Sequence, residues 1–317
     1  MELIRIVLKF LLLSAIAIIS LIFTLPPCLA FRFLTFIRRL MFSENVAGKV
    51  VLVTGAGSGI GEQISYEYAR RGALLALVDI REDCLKPVIE KARHLGSPEV
   101  IGIGADVSKV QDSERLVSAA ISHFGTMDHL VNNAGIARTG LFEKVESISE
   151  LTPVMDVNFW GAVYGTHFAI PHLRKSKGRI IVIASVSGWY PFPGLSIYSA
   201  SKAALIGFYE ALRSETGGNI SITIVTPGFI NSKMTQNRSS LMKALFDDII
   251  PMGSPEGCGK AVVRSACRGD RYLVEPSWYT LLYPLKVVCS EVIEFCNHKL
   301  FLRVVKSWEN ATTKKSD

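Results

Sequence analysis

The sequence predicts an α/β domain with a doubly wound parallel sheet, and two observations carry this prediction. Between residues 43 and 275, short apolar runs alternate with helix-compatible stretches, which is the order of parallel strands joined by helices. The first run, at residues 50–53, leads directly into a glycine-rich segment at 54–61, as in sheets that bind dinucleotides. We therefore expect about seven strands, with a ligand above their ends, behind a hydrophobic N-terminal segment.

That N-terminal segment, residues 1–42, is the first predicted unit of the chain. No charged residue occurs from residue 10 to residue 25, and residues 3–25 are about long enough to cross a bilayer. Three interpretations are open: a cleaved signal peptide, a membrane-spanning anchor, and a hairpin that turns at Pro26 and Pro27. The arginines that follow the prolines favour a cytosolic body.

The charge of the chain is concentrated at its two ends. The 317 residues carry a net charge of +7. Residues 1–42 hold five cations against one carboxylate, and residues 299–317 hold five against two. Basic ends around a neutral body favour an anionic membrane surface over nucleic acid. The six cysteines have no Cys-x-x-Cys spacing, so we expect neither a zinc site nor a disulfide framework.

The glycine-rich segment is the first part of a predicted cofactor site. Its glycines let the backbone approach a pyrophosphate, which the N-terminus of the following helix binds. The next apolar run ends in Asp79, 18 residues after Gly61. A carboxylate there holds a ribose 2′-hydroxyl and repels a 2′-phosphate. We therefore expect NAD to be favoured, although Arg81 leaves NADP open.

Two further strands and a helix follow. Residues 100–104 lead to Asp106 and Val107, and residues 127–131 lead to the small-residue segment at 132–135. Residues 151–173 have a helical pattern that buries Asn158. Because a buried amide needs partners, Asn158 is either a satisfied core residue or holds water that links Lys202 to solvent.

The stretch 180–205 carries the predicted chemistry. An apolar strand at 180–183 delivers Ser185 to the sheet edge, and Tyr198 and Lys202 follow on a helix-compatible segment. Residues four apart on a helix are neighbours, so the ammonium can lie beside the phenol. A nearby cation favours the phenolate, and we expect Lys202 to lower the pKa of Tyr198. The alternative is a half-exposed tyrosine beside a solvated lysine.

The remaining chain is predicted to complete the domain and the substrate site. A strand at 220–225 leads to Pro227 and Gly228, residues 229–250 form a lid, and the last strand lies at 271–274. The apolar lid and the aromatic residues before Tyr198 indicate a bulky hydrophobic alcohol or ketone, unless they only pack the core or a dimer contact. Residues 276–317 form an amphipathic basic extension that lies on a membrane or docks on its own body.

Together these motifs resemble the short-chain dehydrogenase/reductase family. TGAGSGIG at 54–61, NNAG at 132–135, Asn158, Ser185 and Tyr198-x-x-x-Lys202 stand in its order and spacing over residues 49–235. The resemblance implies a Rossmann-like fold without a metal, with Tyr198 as acid/base, Ser185 orienting the substrate, Lys202 tuning the tyrosine and Asn158 relaying protons. The implied cofactor contacts are Gly55, Gly57, Ser58, Gly59, Ile60, Gly61, Asp79, Arg81, Asp106, Val107, Asn133, Ala134, Gly135, Tyr198, Lys202, Pro227, Gly228, Ile230 and Ser232.

A narrower resemblance concerns the N-terminal segment together with the body. Both look like the plant lipid-droplet branch of hydroxysteroid dehydrogenases, the steroleosins or 11-beta-hydroxysteroid dehydrogenase-like proteins. This implies a steroid or sterol substrate, a location at the endoplasmic reticulum or a lipid droplet, and a possible homodimer. The competing hypothesis is a membrane-coating structural protein that binds nucleotide without turnover.

Overall fold

A computed structural model describes residues 2–41, 43–236 and 251–313, in two compact units, Met1–Glu44 and Asn45–Asp317. The first unit is one helix, α1 (Glu2–Met41), which continues through Pro26 and Pro27. A hairpin turn at these prolines is therefore wrong for this structure: although each proline removes a main-chain donor, the helix does not end there. Within α1, Glu2–Phe31 is long and apolar enough to cross a membrane, and its side chains are exposed.

The second unit is built on seven parallel strands in the order β3-β2-β1-β4-β5-β6-β7. The predicted fold class is confirmed, and the predicted strands agree with the observed ones to within about two residues. The strands are Val50–Thr54 (β1), Leu74–Asp79 (β2), Val100–Gly104 (β3), His129–Asn132 (β4), Arg179–Ile183 (β5), Ser221–Pro227 (β6) and Tyr272–Glu275 (β7).

Helices connect these strands and cover both faces of the sheet. They are Gly59–Arg70 (α2), Leu85–His94 (α3), Val110–Phe124 (α4), Thr152–Met155 (α5), Gly161–Ser176 (α6), Ser196–Glu215 (α7), Lys233–Gln236 (α8), Pro255–Arg268 (α9), Leu282–Val288 (α10) and Ser290–Thr313 (α11). A π-helical turn, Asp156–Trp160, joins α5 to α6. Short 3-10 turns occur at Glu82–Cys84, Phe142–Lys144, Ile148–Glu150, Val186–Gly188 and Ser277–Leu281.

Most of the core lies in two layers, one on each face of the sheet. Alternate residues of β1 point to opposite faces, so that Val51 belongs to one apolar cluster and Leu52 to the other. The first cluster includes residues from α2, α3 and α9, and the second includes residues from α4, α6 and α7. Strands buried on both faces explain why the sequence reads as unbroken apolar runs.

The strand order reverses between β1 and β4. In open parallel sheets the crevice at such a reversal, beyond the carboxyl ends of the strands, is the usual ligand site. The glycine-rich turn follows β1, and the segment at 133–135 follows β4. The topology therefore brings these two predicted cofactor segments together.

The C-terminal extension packs on the catalytic unit through its first half. Tyr279 is fully buried, Lys286 donates a hydrogen bond to the Trp189 carbonyl oxygen, and Tyr283 contacts the Trp189 ring edge to face. Val287 and Val288 are exposed on the same segment. Of the two predicted alternatives, this half of the extension therefore docks on its own body. Residues 237–250, most of the predicted lid, lie outside the described residues.

Candidate active site

The glycine-rich turn is shaped by contacts that leave no room for larger residues. Gly55 and Gly59 have positive φ angles of 63° and 62°, a conformation that glycine adopts without steric cost. A Cβ on Gly61 would overlap the Gly55 carbonyl oxygen and the Asn133 side-chain amide. The turn is therefore packed tightly against the segment that follows β4.

Asn133 ties these two strand ends together. Its Nδ2 donates to the carbonyl oxygens of Thr54 and Gly55 at 2.9 and 3.0 Å. In return, Thr54 Oγ1 accepts from the backbone N–H groups of Asn133 and Ala134 at 3.0 and 3.1 Å. Because both segments border the crevice, this network holds one wall of it rigid.

Asp79 ends β2 and is held in place by backbone donors. Its Oδ2 accepts from the Gly57 N–H at 3.0 Å, and its Oδ1 accepts from the Arg81 N–H at 3.1 Å. A Cβ on Gly57 would lie 2.8 Å from Oδ2, so a side chain there would push the carboxylate away. A carboxylate oxygen accepts more than one hydrogen bond, which leaves acceptor capacity for a ligand hydroxyl.

The crevice is a cavity of about 360 Å³, within the size range of ligand clefts, roughly 300–1,000 Å³. The predicted site residues that line it are Gly55, Ser58, Gly59, Ile60, Asp79, Arg81, Asn133, Ala134, Gly135, Ser185, Tyr198, Lys202, Pro227, Gly228, Ile230 and Ser232. Asp79 and Arg81 are polar groups of β2 and the turn after it, and Lys202 and Tyr198 belong to α7.

Some predicted cofactor contacts lie outside this lining. Asp106 accepts from the N–H and the hydroxyl of Ser108 at 3.0 and 2.7 Å, and Val107 packs against Gly161. Gly57 and Gly61 lie behind the lining: the Gly57 N–H donates to Asp79, and Gly61 packs against the Asn133 side-chain amide. Direct contact with a cofactor stays a prediction for these four residues, as it does for the residues that line the cavity.

Other lining residues were not predicted as contacts, namely Ile80, Ile136, Ile183, Ala184, Lys233, Met234 and Thr235. Ile183 and Ala184 could have been found, because they directly precede Ser185 at a strand end. Thr235 carries no sequence signal: its hydroxyl accepts from the Ser232 N–H at 2.9 Å and donates to the Ile230 carbonyl oxygen at 2.7 Å, which shapes the turn after β6.

Ser185 and Tyr198 meet at the inner end of the cavity. Ser185 Oγ accepts from the Ser187 N–H at 3.1 Å and donates to the Pro227 carbonyl oxygen at 3.3 Å. Burial raises the pKa of Tyr198, and its hydrogen bond with Ser185 lowers it, since the Ser185 hydroxyl can turn from Pro227 towards the phenolate. The serine therefore favours the phenolate, against the effect of the surrounding protein.

Lys202 is buried below the tyrosine and bonds to the main chain. Its Nζ donates to the Ile183 carbonyl oxygen at 2.8 Å and lies 5.8 Å from the centre of the Tyr198 ring. Burial lowers the pKa of Lys202 to about 8. Burial and Ser185 are the two influences that the structure shows on the pKa of Tyr198, and the effect of Lys202 on that pKa stays a prediction.

Asn158 lies in the π-helical turn and is 1% exposed. Its Oδ1 accepts from the Ile136 N–H at 2.8 Å, and its Nδ2 donates to the Ile136 carbonyl oxygen and to Ser201 Oγ at 2.9 and 3.0 Å. Ser201 in turn donates to the Tyr198 carbonyl oxygen at 2.7 Å. The amide is thus a satisfied buried group that connects the loop after β4 with α7, and its part in a proton relay stays a prediction.

A second, smaller cavity of about 70 Å³ opens beside Ser185 and Tyr198. Its walls include Val186, Phe192, Leu195 and Phe229, and the rings of Phe192 and Phe229 pack at 5.5 Å. The residues that it shares with the large cavity are Ser185, Tyr198, Gly228, Met234 and Thr235. Two clefts, one long with charged groups and one apolar, therefore meet at a phenol and a hydroxyl.

This arrangement on a doubly wound sheet defines an oxidoreductase of the nicotinamide-dependent class. Comparison with protein families agrees: residues 49–243 match the model described as short chain dehydrogenase. The chain belongs to the short-chain dehydrogenase/reductase family.

Named relatives support the same assignment. The chain is 49% identical over 288 residues to 11-beta-hydroxysteroid dehydrogenase A of Arachis hypogaea, covering 88% of this chain and 82% of that protein. It is 52% identical over 267 residues to 11-beta-hydroxysteroid dehydrogenase-like 6 of Arabidopsis thaliana, covering 81% and 78%. The resemblance to plant 11-beta-hydroxysteroid dehydrogenase-like proteins is confirmed.

Solved structures share the fold. A dehydrogenase/reductase from Sinorhizobium meliloti has a TM-score of 0.66 and 30% identity, with 73% of this chain and 94% of that chain covered. A short-chain dehydrogenase/reductase from Burkholderia phymatum, solved in complex with NAD, has a TM-score of 0.71 and 24% identity, with 78% and 96% covered.

Proposed function

We propose that the protein interconverts a hydroxyl and a keto group on a bulky hydrophobic substrate, a steroid or sterol, with NAD as the preferred cofactor. The observation that carries this proposal is the meeting of the two cavities at Ser185 and Tyr198. The apolar cavity, at about 70 Å³, would admit only the end of such a substrate that bears the oxygen, and would place that oxygen beside the phenol. The names of the plant relatives support a steroid skeleton.

The residues of the large cavity fit a nicotinamide dinucleotide. The glycine-rich turn lets a diphosphate approach the N-terminus of α2, Asp79 offers an acceptor to the adenosine ribose, and Lys202 lies at the other end. The carboxylate of Asp79 supports NAD over NADP, because it would repel a 2′-phosphate. When bound, the nicotinamide ring supplies the hydride acceptor or donor.

Tyr198 and Ser185 have different roles at the substrate oxygen. In the oxidative direction, Tyr198 takes the hydroxyl proton, and in the reductive direction it returns the proton to the carbonyl oxygen. Ser185 donates a hydrogen bond that orients the substrate oxygen. Its bond to Pro227, at 3.3 Å, is long for a hydroxyl donor, so exchange for a substrate acceptor costs little.

Lys202 and Asn158 support this proton transfer from beneath. An ammonium has three N–H donors, and one of them bonds to Ile183, which leaves two that can reach the nicotinamide ribose. Asn158 lies beside the same ammonium: a Cβ placed on Gly135 would be 3.2 Å from Asn158 Oδ1 and 3.5 Å from Lys202 Nζ. We propose that this pair leads the proton from Tyr198 towards solvent.

We also propose that residues 1–42 anchor the protein at the endoplasmic reticulum or a lipid droplet, with a cytosolic catalytic unit. The apolar length of Glu2–Phe31 and the exposure of its side chains support an anchor. A hydrophobic substrate dissolved in the same membrane would be concentrated near the enzyme. Residues 43–275 then form the catalytic domain, and residues 276–317 extend it.

The test is a substrate screen with the full chain in detergent. Binding of NADH and NADPH is titrated by nicotinamide fluorescence, and turnover of hydroxysteroids, sterols and retinoids is then followed by absorbance at the nicotinamide band. We expect tighter binding of NADH and turnover of a polycyclic alcohol or ketone. Nucleotide binding without turnover of any member would favour the structural coat hypothesis, and preference for NADPH would overturn the cofactor assignment.

A further inference from the structure

The turn that separates the two cavities rests on a single aromatic ring from the C-terminal extension. Gly228 lines both cavities, and a Cβ at this residue would overlap the ring of Tyr279. Tyr279 itself is 0% exposed. The backbone of Gly228 therefore lies directly on the ring face, without a side chain between them.

Hydrogen bonds from the same region fix the amides of this turn. The Gly228 N–H donates to the Glu275 carbonyl oxygen at 2.8 Å, and the Phe229 N–H donates to the Tyr279 hydroxyl oxygen at 3.2 Å. Burial raises the pKa of Tyr279 to about 12, so the phenol is neutral over the working pH range of the enzyme. The Gly228 amide thus depends on the last residue of β7, and the Phe229 amide depends on the segment that follows this strand.

Tyr279 is in turn held by its neighbours. Its ring stacks on Trp278 with centres 3.8 Å apart, and it belongs to an apolar cluster that also contains Val186, Phe192 and Leu195. Those three residues come from the chain between Ser185 and Tyr198. One cluster therefore supports the loop that carries the proton-transfer groups and the turn that faces them.

We infer that Tyr279 is a positioning residue. Its ring and its hydroxyl fix the position of the Pro227–Phe229 backbone between the two cavities. This inference rests on the proposed function. The glycine-rich turn, which would bind the diphosphate, lies on β1 and makes no part of this contact. Loss of Tyr279 should therefore disturb the reacting end of the site and leave the adenosine end intact.

Two single substitutions separate the two contributions. Tyr279→Phe removes only the acceptor for the Phe229 N–H, and Tyr279→Leu also removes the aromatic ring that packs against Gly228. We expect both variants to bind ADP-ribose, which lacks the nicotinamide ring, as the wild type does. The emission of bound NADH should change and kcat should fall in both variants, and further in Tyr279→Leu, towards the roughly 100-fold loss that a misplacement of about 1 Å can cause.

A double substitution tests the contact itself. Gly228→Ala introduces the overlap with the ring, and we expect it to lower kcat strongly. In the pair Gly228→Ala/Tyr279→Leu the new methyl group gains space, so kcat should exceed the product of the two single effects. Tyr68→Phe is the control, because Tyr68 is also fully buried and its hydroxyl is bonded to His129 at 2.8 Å. It should lower Tm without changing kcat.

The outcomes separate this inference from the proposed function. Wild-type kcat and NADH emission in Tyr279→Phe would overturn the positioning role while the enzyme assignment stands. Losses of kcat that only parallel losses of Tm and of ADP-ribose affinity would do so as well. Independent, multiplicative effects in the double variant would do the same. A wild-type protein that binds neither NADH nor ADP-ribose would refute the proposed function, and this inference with it.

Discussion

Lys202 donates a 2.8 Å hydrogen bond to the carbonyl oxygen of Ile183, and this bond decides what the lysine can do. It directs the ammonium to the end of β5, 5.8 Å from the centre of the Tyr198 ring. The lysine is 4% exposed, and burial lowers its pKa because a charge in a poorly solvated site is unfavourable. Lys202 is thus a buried cation whose protonation is linked to the stability of the fold.

Lys202→Met should remove a pH dependence of stability. Burial lowers the pKa of Lys202 from 10.5 to about 8, so between these values the unfolded chain binds a proton that the folded chain has released. The free energy of unfolding of the wild type therefore gains up to about 1.4 kcal/mol per pH unit from this group as pH rises through that range. Below about pH 8 the contribution no longer changes.

Urea unfolding from about pH 7 to about pH 10 tests this linkage. The difference in unfolding free energy between wild type and Lys202→Met should be flat at the acidic end and rise at the alkaline end. Lys260→Met is the control, since Lys260 is exposed and paired with Glu256. Parallel curves for wild type and Lys202→Met would contradict the prediction.

Tyr198→Phe should abolish most turnover and keep the cofactor. The ring and its packing remain, and only the proton donor and acceptor is lost, so we expect kcat to fall by about 10²- to 10⁴-fold with little change in the Kd of NADH. Steady-state rates and fluorescence titration measure the two quantities. Tyr164→Phe, a ring stacked on Trp160, should behave as wild type. Full turnover in Tyr198→Phe would exclude it as the acid/base.

Ser185→Ala should shift the pH profile of alcohol oxidation to higher pH. The hydrogen bond from Ser185 lowers the pKa of Tyr198, so its removal raises that pKa. Oxidation requires the phenolate, and the rising limb of kcat/KM must follow the pKa upward. Ser199→Ala is the control, because Ser199 Oγ is buried without a hydrogen-bond partner among the described residues. A lower rate with an unmoved limb would mean that Ser185 acts on the substrate alone.

Asp79→Asn should weaken the preference for NADH. An asparagine oxygen can still accept from the Gly57 N–H, but the negative charge that opposes a 2′-phosphate is gone. We expect the ratio of the NADPH and NADH dissociation constants to fall by about tenfold, which corresponds to about 1.4 kcal/mol. Asp83→Asn, an exposed carboxylate in the next turn, serves as control. An unchanged ratio would assign cofactor choice to Arg81 or Ser58.

Charge in the N-terminal helix should release the protein from membranes. Ile16 and Ile18 are exposed on α1, and a charged residue near the centre of a spanning helix costs about 2.5–3.5 kcal/mol. Flotation of Ile16→Lys/Ile18→Lys with phosphatidylcholine vesicles that contain an anionic lipid should fall well below wild type. Val287→Lys/Val288→Lys tests the other exposed apolar segment. If only Val287→Lys/Val288→Lys reduced flotation with the vesicles, membrane binding would lie in the C-terminal extension.

Local patterns were enough to predict the strands, and the resemblance to the family supplied most of the cavity lining. β3, for example, was predicted with the same bounds, because apolar runs that end in glycine are visible in the chain itself. The Tyr279 support of Gly228 was not predictable, since the two residues lie about 50 positions apart and their contact depends on how two segments fold onto each other. The same holds for the bond between Lys202 and Ile183, which joins a helix to the end of a strand.

The π-helical turn at Asp156–Trp160 makes this part of the protein sensitive to chain length. Such a turn holds one residue more than an α-helical turn, and each residue of a helix rotates the chain by about 100°. Deleting one residue would regularise the helix but swing the Asn158 amide off its partners at Ile136 and Ser201. When this chain is aligned with others, a one-residue gap here signals a reoriented amide and not a harmless difference in loop size.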